Sequence, residues 1–135
     1  MSLRLISRQV DYAVNALCYL ASNDSFGRVS DLQRILGMPM SFMRETMRML
    51  GKAGVLHSCR GKKGGFTLAI PPEKINVSML MGIFHDAYEE DHCMLKKWEC
   101  QRKKSCGLRR ELIAIEKVVR GRLENVTIAS LMTGC

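Results

Sequence analysis

The chain has 135 residues, enough for one domain or one domain with an appendage. It carries 21 Lys and Arg against 13 Asp and Glu, a net charge of +8, and is 47% hydrophobic, which excludes a disordered polyelectrolyte. No apolar run approaches a membrane span, and the N-terminus lacks the apolar core of a signal peptide.

The expected setting is therefore cytoplasmic and reducing, where six cysteines are thiols or metal ligands rather than disulfides. The basic excess is uneven. Residues 1–70 hold ten basic and four acidic side chains, a net +6, whereas residues 71–135 hold eleven and nine, a net +2. An anionic partner for the first half is one reading, with nucleic acid ahead of a membrane surface. A solvated basic face is the other.

Residues 4–22 have helical period, with Ile6, Val10, Ala13, Val14, Leu17 and Leu20 on one face. Asn23 to Gly27 breaks the pattern. Ser30 is placed to cap a short helix from Asp31 to Leu36, which Gly37 ends. After a turn at Pro39, Ser41 is placed to cap a helix from Phe42 to Lys52, closed by Gly51 and Gly54. Two short helices joined through a Gly/Pro turn form a helix-turn-helix pattern.

Val55 to Cys59 and Phe66 to Ile70 read as strands flanking a basic, glycine-rich tip at Arg60 to Gly65. A hairpin directly after a helix-turn-helix is a wing. No Gly-Lys-Ser/Thr follows the glycines, which argues against a phosphate loop. Pro71 and Pro72 end the hairpin, and Ser78 is placed to cap a helix from Met79 to about Tyr88, burying Leu80, Ile83, Phe84 and Ala87.

Residues 89–107 have no clean period and hold three cysteines. A long helix then runs from Leu108 to Val126, with Leu108, Leu112, Ile115, Val119 and Val126 near a coiled-coil seam. That seam predicts a homodimer; folding back on its own domain is the alternative. Ile128 to Met132 reads as a last short helix. The expected class is mainly α with a small β-hairpin wing: a winged helix-turn-helix DNA-binding domain over residues 1–75, then a cysteine loop and dimerisation helix over residues 76–135.

The second helix of a helix-turn-helix presents its N-terminal residues to the base edges of the major groove. Here those are Ser41, Phe42, Arg44, Glu45 and Arg48, while Met43, Met47 and Leu50 face the core. Arg can read guanine with a bidentate bond, and Glu can accept from cytosine N4. Arg60, Lys62 and Lys63 in the wing suit phosphates or a minor groove, whereas Arg34 and Lys52 read as solvated charges.

Cys93, Cys100 and Cys106 lie in a lysine-rich segment, and neighbouring cations favour thiolate. Thiolates ligate iron–sulfur clusters and zinc, but the tight Cys-x-x-Cys knuckles of zinc sites are absent. A cluster, a set of redox thiols and unrelated cysteines all remain open on spacing alone. Cys18 is expected in the core, Cys59 half-buried at the base of the wing, and Cys135 frayed, with structural roles for His57 and His85.

Asp11-Tyr12-Ala13, the helix-turn-helix, the segment Arg60-Gly61-Lys62-Lys63-Gly64-Gly65-Phe66-Thr67-Leu68, the three-cysteine loop and the long helix follow in this order. Together they resemble, over essentially the whole chain, the bacterial winged-helix regulators that include the iron–sulfur regulator IscR, the nitric-oxide-sensing repressor NsrR and the cysteine-metabolism repressor CymR. The resemblance implies a homodimeric repressor on palindromic double-stranded DNA, with Cys93, Cys100 and Cys106 ligating a four-iron or two-iron cluster. Some members place a histidine three residues after the third cysteine, where this chain has Arg109. Others use an aspartate before the Tyr-Ala of the first helix, so the resemblance implies Asp11 of the partner subunit as fourth ligand, with His92 as the alternative. Some members bind no cluster, which keeps open a regulator answering to thiol oxidation or a partner enzyme. A small metal or iron–sulfur protein that binds no DNA is the reading from another class, and an enzyme is not expected, since no nucleophile–base pair appears.

Overall fold

A computed structural model describes residues 6–23, 26–60, 64–84 and 106–134. Helix α1, Arg8–Ser22, begins later than its periodicity suggests. The Ser7 hydroxyl accepts from the Val10 amide at 3.3 Å and caps it, which leaves Ile6 exposed outside the helix. Val10, Ala13, Ala16, Leu17 and Leu20 are buried, so α1 is the central helix of the core.

A two-residue strand, β1 (Phe26–Gly27), follows, which the sequence pattern does not announce. Helices α2 (Val29–Leu36) and α3 (Met40–Lys52) come next. Neither expected serine cap forms. Arg28 and Pro39 occupy the cap positions without side-chain bonds, so Ser30 and Ser41 lie inside the first turns. Hydrophobic anchoring by Leu32 and by Met43, Met47 and Leu50, all fully buried, sets these helix starts instead. Gly37 does end α2, in the left-handed conformation at φ 67°, and its amide donates to Gln33 at 2.8 Å. Gly54, at φ 82°, turns the chain after α3, whereas Gly51 is still helical.

Strands β2 (Leu56–Cys59) and β3 (Gly65–Leu68) pair antiparallel, with Leu56 opposite Leu68 and Cys59 opposite Gly65. β1 adds to the other edge of β3, giving the order β1-β3-β2. Gly27 is required there: a Cβ would lie 2.6 Å from the Leu20 side chain. Helix-turn-helix and hairpin together form a winged helix.

After a short 3-10 turn at Pro72–Lys74, α4 spans Val77–Phe84. Asn76 rather than Ser78 caps it, its side-chain oxygen accepting from the Met79 amide at 2.8 Å. The predicted continuation of this helix to Tyr88, with Ala87 and His85, lies outside the described residues. Leu80 and Phe84 are buried as expected, with Ile83 packed beside them.

Helix α5 (Gly107–Leu123) and α6 (Ile128–Gly134) complete the chain. α1 packs against α2, α3, α4 and α6, and one core runs from Val10 to Ile128. The return is stitched in place by backbone. Val77 N–H donates to Val126 O at 2.9 Å, Ile128 N–H donates to Ile75 O at 2.8 Å, and Asn76 bridges Thr127 antiparallel. Among the described residues, no helix is long and apolar enough to cross a membrane.

Candidate nucleic-acid interface and sensor residues

The two faces of α3 divide its chemistry. Met43, Thr46, Met47 and Leu50 are fully buried, and the Thr46 hydroxyl is satisfied by donating to the Phe42 carbonyl at 2.9 Å. At 3.6 residues per turn, Ser41, Arg44, Glu45 and Arg48 must then share the opposite face, and all four are exposed. Phe42, expected among the base-facing residues, is half-buried. Its ring meets Tyr12 of α1 edge-on, with centroids 5.6 Å apart.

Within the exposed face, Glu45 and Arg48 form a fork-to-fork pair. Arg48 Nε donates to Glu45 Oε2 at 2.9 Å, and Nη2 donates to Oε1 at 2.7 Å. The hydrogen bonds from Arg48 hold the Glu45 carboxyl below the usual glutamate range, and the same bonds push Arg48 further up. Sequence spacing places Arg48 with Arg44 on one face, but the bond goes to the acidic residue three positions back.

Arg60 is exposed directly after β2, at the entry to the wing tip. Lys62 and Lys63 lie outside the described residues. Cys59 is exposed, not half-buried. Only Leu56 of β2 is buried, because the strand projects beyond the core and its alternation then has no inner side to serve. His57 is exposed on the same strand. Cys18 is half-buried against the core, close to its expected place. Arg34 pairs with Asp31 at 3.4 Å on the surface, and Lys52 is exposed.

Of the four expected cluster ligands, two are described. Cys106 is a free, half-buried thiol at the N-cap of α5. Asp11 is exposed in the first turn of α1, and its carboxylate accepts from the Asn15 side-chain amide at 3.2 Å. Cys93, Cys100 and the alternative His92 lie outside the described residues, as does Cys135. Among the described residues no three His, Cys, Asp or Glu side chains come together.

Asp11 lines an open, mainly apolar groove of about 470 Å³ with Ile6, Val14, Val77, Leu123 and Leu131. Along α5, Leu108, Ile115 and Val118 are exposed at 52%, 52% and 66%. Leu112 and Val119 are half-buried, and Leu123 turns onto the core.

Known proteins match over this whole arrangement. A helix-turn-helix-type transcriptional regulator of Aquifex aeolicus is 37% identical over 97 residues, covering 71% of this chain and 67% of the relative. The regulator NsrR of Halalkalibacterium halodurans is 26% identical over 131 residues, covering 95% of this chain and 90% of that protein. The structure of CymR, the global cysteine regulator of B. subtilis, superposes with a TM-score of 0.75 at 18% identity, covering 98% of this chain and 99% of that one. Residues 6–134 match the family described as Rrf2, iron-dependent transcriptional regulator. The chain therefore belongs to the Rrf2 family of DNA-binding transcriptional regulators, which are not enzymes.

Proposed function

We propose that this chain is a homodimeric repressor that grips a palindromic operator with α3 and the wing of each subunit. The division of labour follows the chain: residues 1–75 bind DNA, and residues 76–135 carry the sensing loop and the dimer contact. The observation that carries the DNA reading is the split of α3. A fully buried methionine-rich face anchors the helix while Ser41, Arg44, Glu45 and Arg48 are held outward. Arg60, with Lys62 and Lys63, supplies phosphate contacts from the wing. The exposed apolar residues of α5 support the dimer, since a second copy of that helix would bury them.

The proposed sensor is an iron–sulfur cluster held by Cys93, Cys100 and Cys106 with Asp11 of the partner subunit. The donor chemistry fits. Cys106 is a free, half-buried thiol at the N-cap of α5, and Asp11 is solvent-accessible on a different element, a donor set of the kind an iron–sulfur cluster takes. When bound, the cluster would supply an iron centre open to oxidants or nitric oxide at its carboxylate ligand, a harder and more weakly held donor than thiolate. Asp11 precedes Tyr12, which packs on the recognition helix, so its engagement can bias the position of α3.

Two measurements test the reading. Anaerobically purified protein is expected to be brown, with iron and sulfide, and to lose its visible absorption in Cys106→Ala. A colourless preparation lacking both would remove the cluster. Operator affinity is expected to fall steeply with salt and to fall further in Arg60→Ala, which still dimerises. A salt-independent or absent affinity for duplex DNA would remove the regulator reading.

A second reading, a clusterless regulator answering to thiol oxidation, draws on the exposure of Cys59 beside Arg60. DNA binding that survives replacement of all three loop cysteines but is lost on oxidation, and restored in Cys59→Ser, would favour it.

A further inference from the structure

The Glu45–Arg48 pair occupies the middle of the face that the proposed function turns toward DNA, and a carboxylate there is unfavourable for generic binding. Every phosphate-directed complex would carry its repulsion. Its geometry gives it a different use. The bridge takes Arg48 Nε and one hydrogen of Nη2, both on one side of the guanidinium. The remaining Nη2 hydrogen and one of the two on Nη1 lie side by side at the tip, forming the end-on fork that matches guanine O6 and N7. Glu45 can therefore hold Arg48 and leave it able to read. Both side chains are well exposed, with relative accessibilities of 60% for Arg48 and 48% for Glu45, so the pair is available to a ligand as a preformed unit.

Glu45 also has a limited set of partners it can meet without penalty. Each carboxylate oxygen has one lone pair committed to Arg48 and another available. In the major groove, the neighbours that donate to a carboxylate are the amino groups of cytosine and adenine, and cytosine N4 is the usual partner of Glu. A thymine O4 or guanine O6 at that place would face a carboxylate with nothing to donate.

We propose that Glu45 and Arg48 act as one reading element: Arg48 contacts a guanine end-on, and Glu45 positions it while selecting a cytosine amino group beside it. The inference rests on α3 being the DNA-reading helix. Glu45 contributes discrimination rather than affinity, because its removal deletes a repulsion and a filter together.

The test is selection of operators from a random duplex library by the full-length protein, followed by affinities for the selected operator and for copies in which each G·C pair is changed to A·T. Wild type is expected to require one particular G·C step in each half-site, with losses of roughly tenfold on its replacement. Glu45→Ala and Arg48→Ala are both expected to lose discrimination at that same step. The double variant should lose no more than either alone, and Glu45→Ala should bind unrelated duplex more tightly than wild type. Both changes are on the solvent side of α3, and circular dichroism verifies that each variant is folded. Glu45→Ala retaining full discrimination, or the two single variants relaxing different base pairs, overturns the paired reading. Wild type enriching no duplex sequence would instead overturn the DNA-reading role of α3 and this inference with it.

Discussion

Tyr12 of α1 and Phe42 of α3 meet edge to face, with their rings 5.6 Å apart and inclined at 73°. This is a favoured geometry for two aromatic rings, positive edge to negative face. It ties the helix bearing Asp11 to the first turn of α3. A double-mutant cycle with Tyr12→Leu and Phe42→Leu is expected to give a coupling of about 0.5–1.5 kcal/mol in urea unfolding. Additive losses would show that the rings merely fill space.

Gly27 allows β1 to lie directly on α1. A methyl group there would sit 2.6 Å from Leu20 Cδ2 and 3.3 Å from the Tyr19 ring. Leu20 is fully buried, so its side chain can yield only by disturbing its neighbours. Gly27→Ala is expected to destabilise the protein by about 1–3 kcal/mol, measured by thermal or denaturant unfolding. An unchanged midpoint would mean that Leu20 has a second accommodating rotamer.

The turn between α2 and α3 makes a different demand. Around Gly37 there is room for a side chain, yet its φ of 67° is unfavourable for one. Gly37→Ala is expected to cost about 1 kcal/mol, and Gly37→Asn distinctly less, because Asn tolerates the left-handed region. Equal losses in the two variants would point to a steric rather than a conformational cause.

The Glu45 carboxyl, held low by hydrogen bonds from Arg48, sets a pH signature. Because its folded value is depressed, the bridge contributes fully above the unfolded glutamate value. The contribution is lost as pH falls from there through the lower folded value. Side-chain NMR titration is expected to show a Glu45 midpoint below that of ordinary glutamates, rising toward them in Arg48→Ala. Coincident midpoints in wild type and variant would mean that the fork opens in solution.

Much of this architecture is legible in the residues themselves. The burial of Val10, Leu17 and Leu20, and of Met43, Met47 and Leu50, follows their helical period, and Gly37 marks a helix end because few other residues adopt its conformation. What escapes is whatever depends on contacts distant in sequence. Two residues of β1 carry no alternation, and their pairing exists only because β3 offers a free edge. Ser30, Ser41 and Ser78 look like caps, but tertiary anchoring starts α2, α3 and α4 earlier. Cys59 alternates correctly for a half-buried strand, yet β2 runs past the core. For the candidate site, Arg44, Glu45 and Arg48 are readable as one exposed face, whereas the bond that joins two of them is decided by side-chain geometry.

The seam between Ile75–Val77 and Val126–Ile128 bears on the order in which the protein becomes competent during synthesis. Ile128 is fully buried in the same core as α1, so the helices packed on α1 lack part of their support until α6 has left the ribosome. A stalled nascent chain ending before Thr127 is expected to remain protease-sensitive throughout. One that exposes α6 should become resistant in a single step. On the proposed division of the chain, the DNA-binding half becomes competent only after α6 has been made, so it does not reach an operator ahead of the proposed sensing segment.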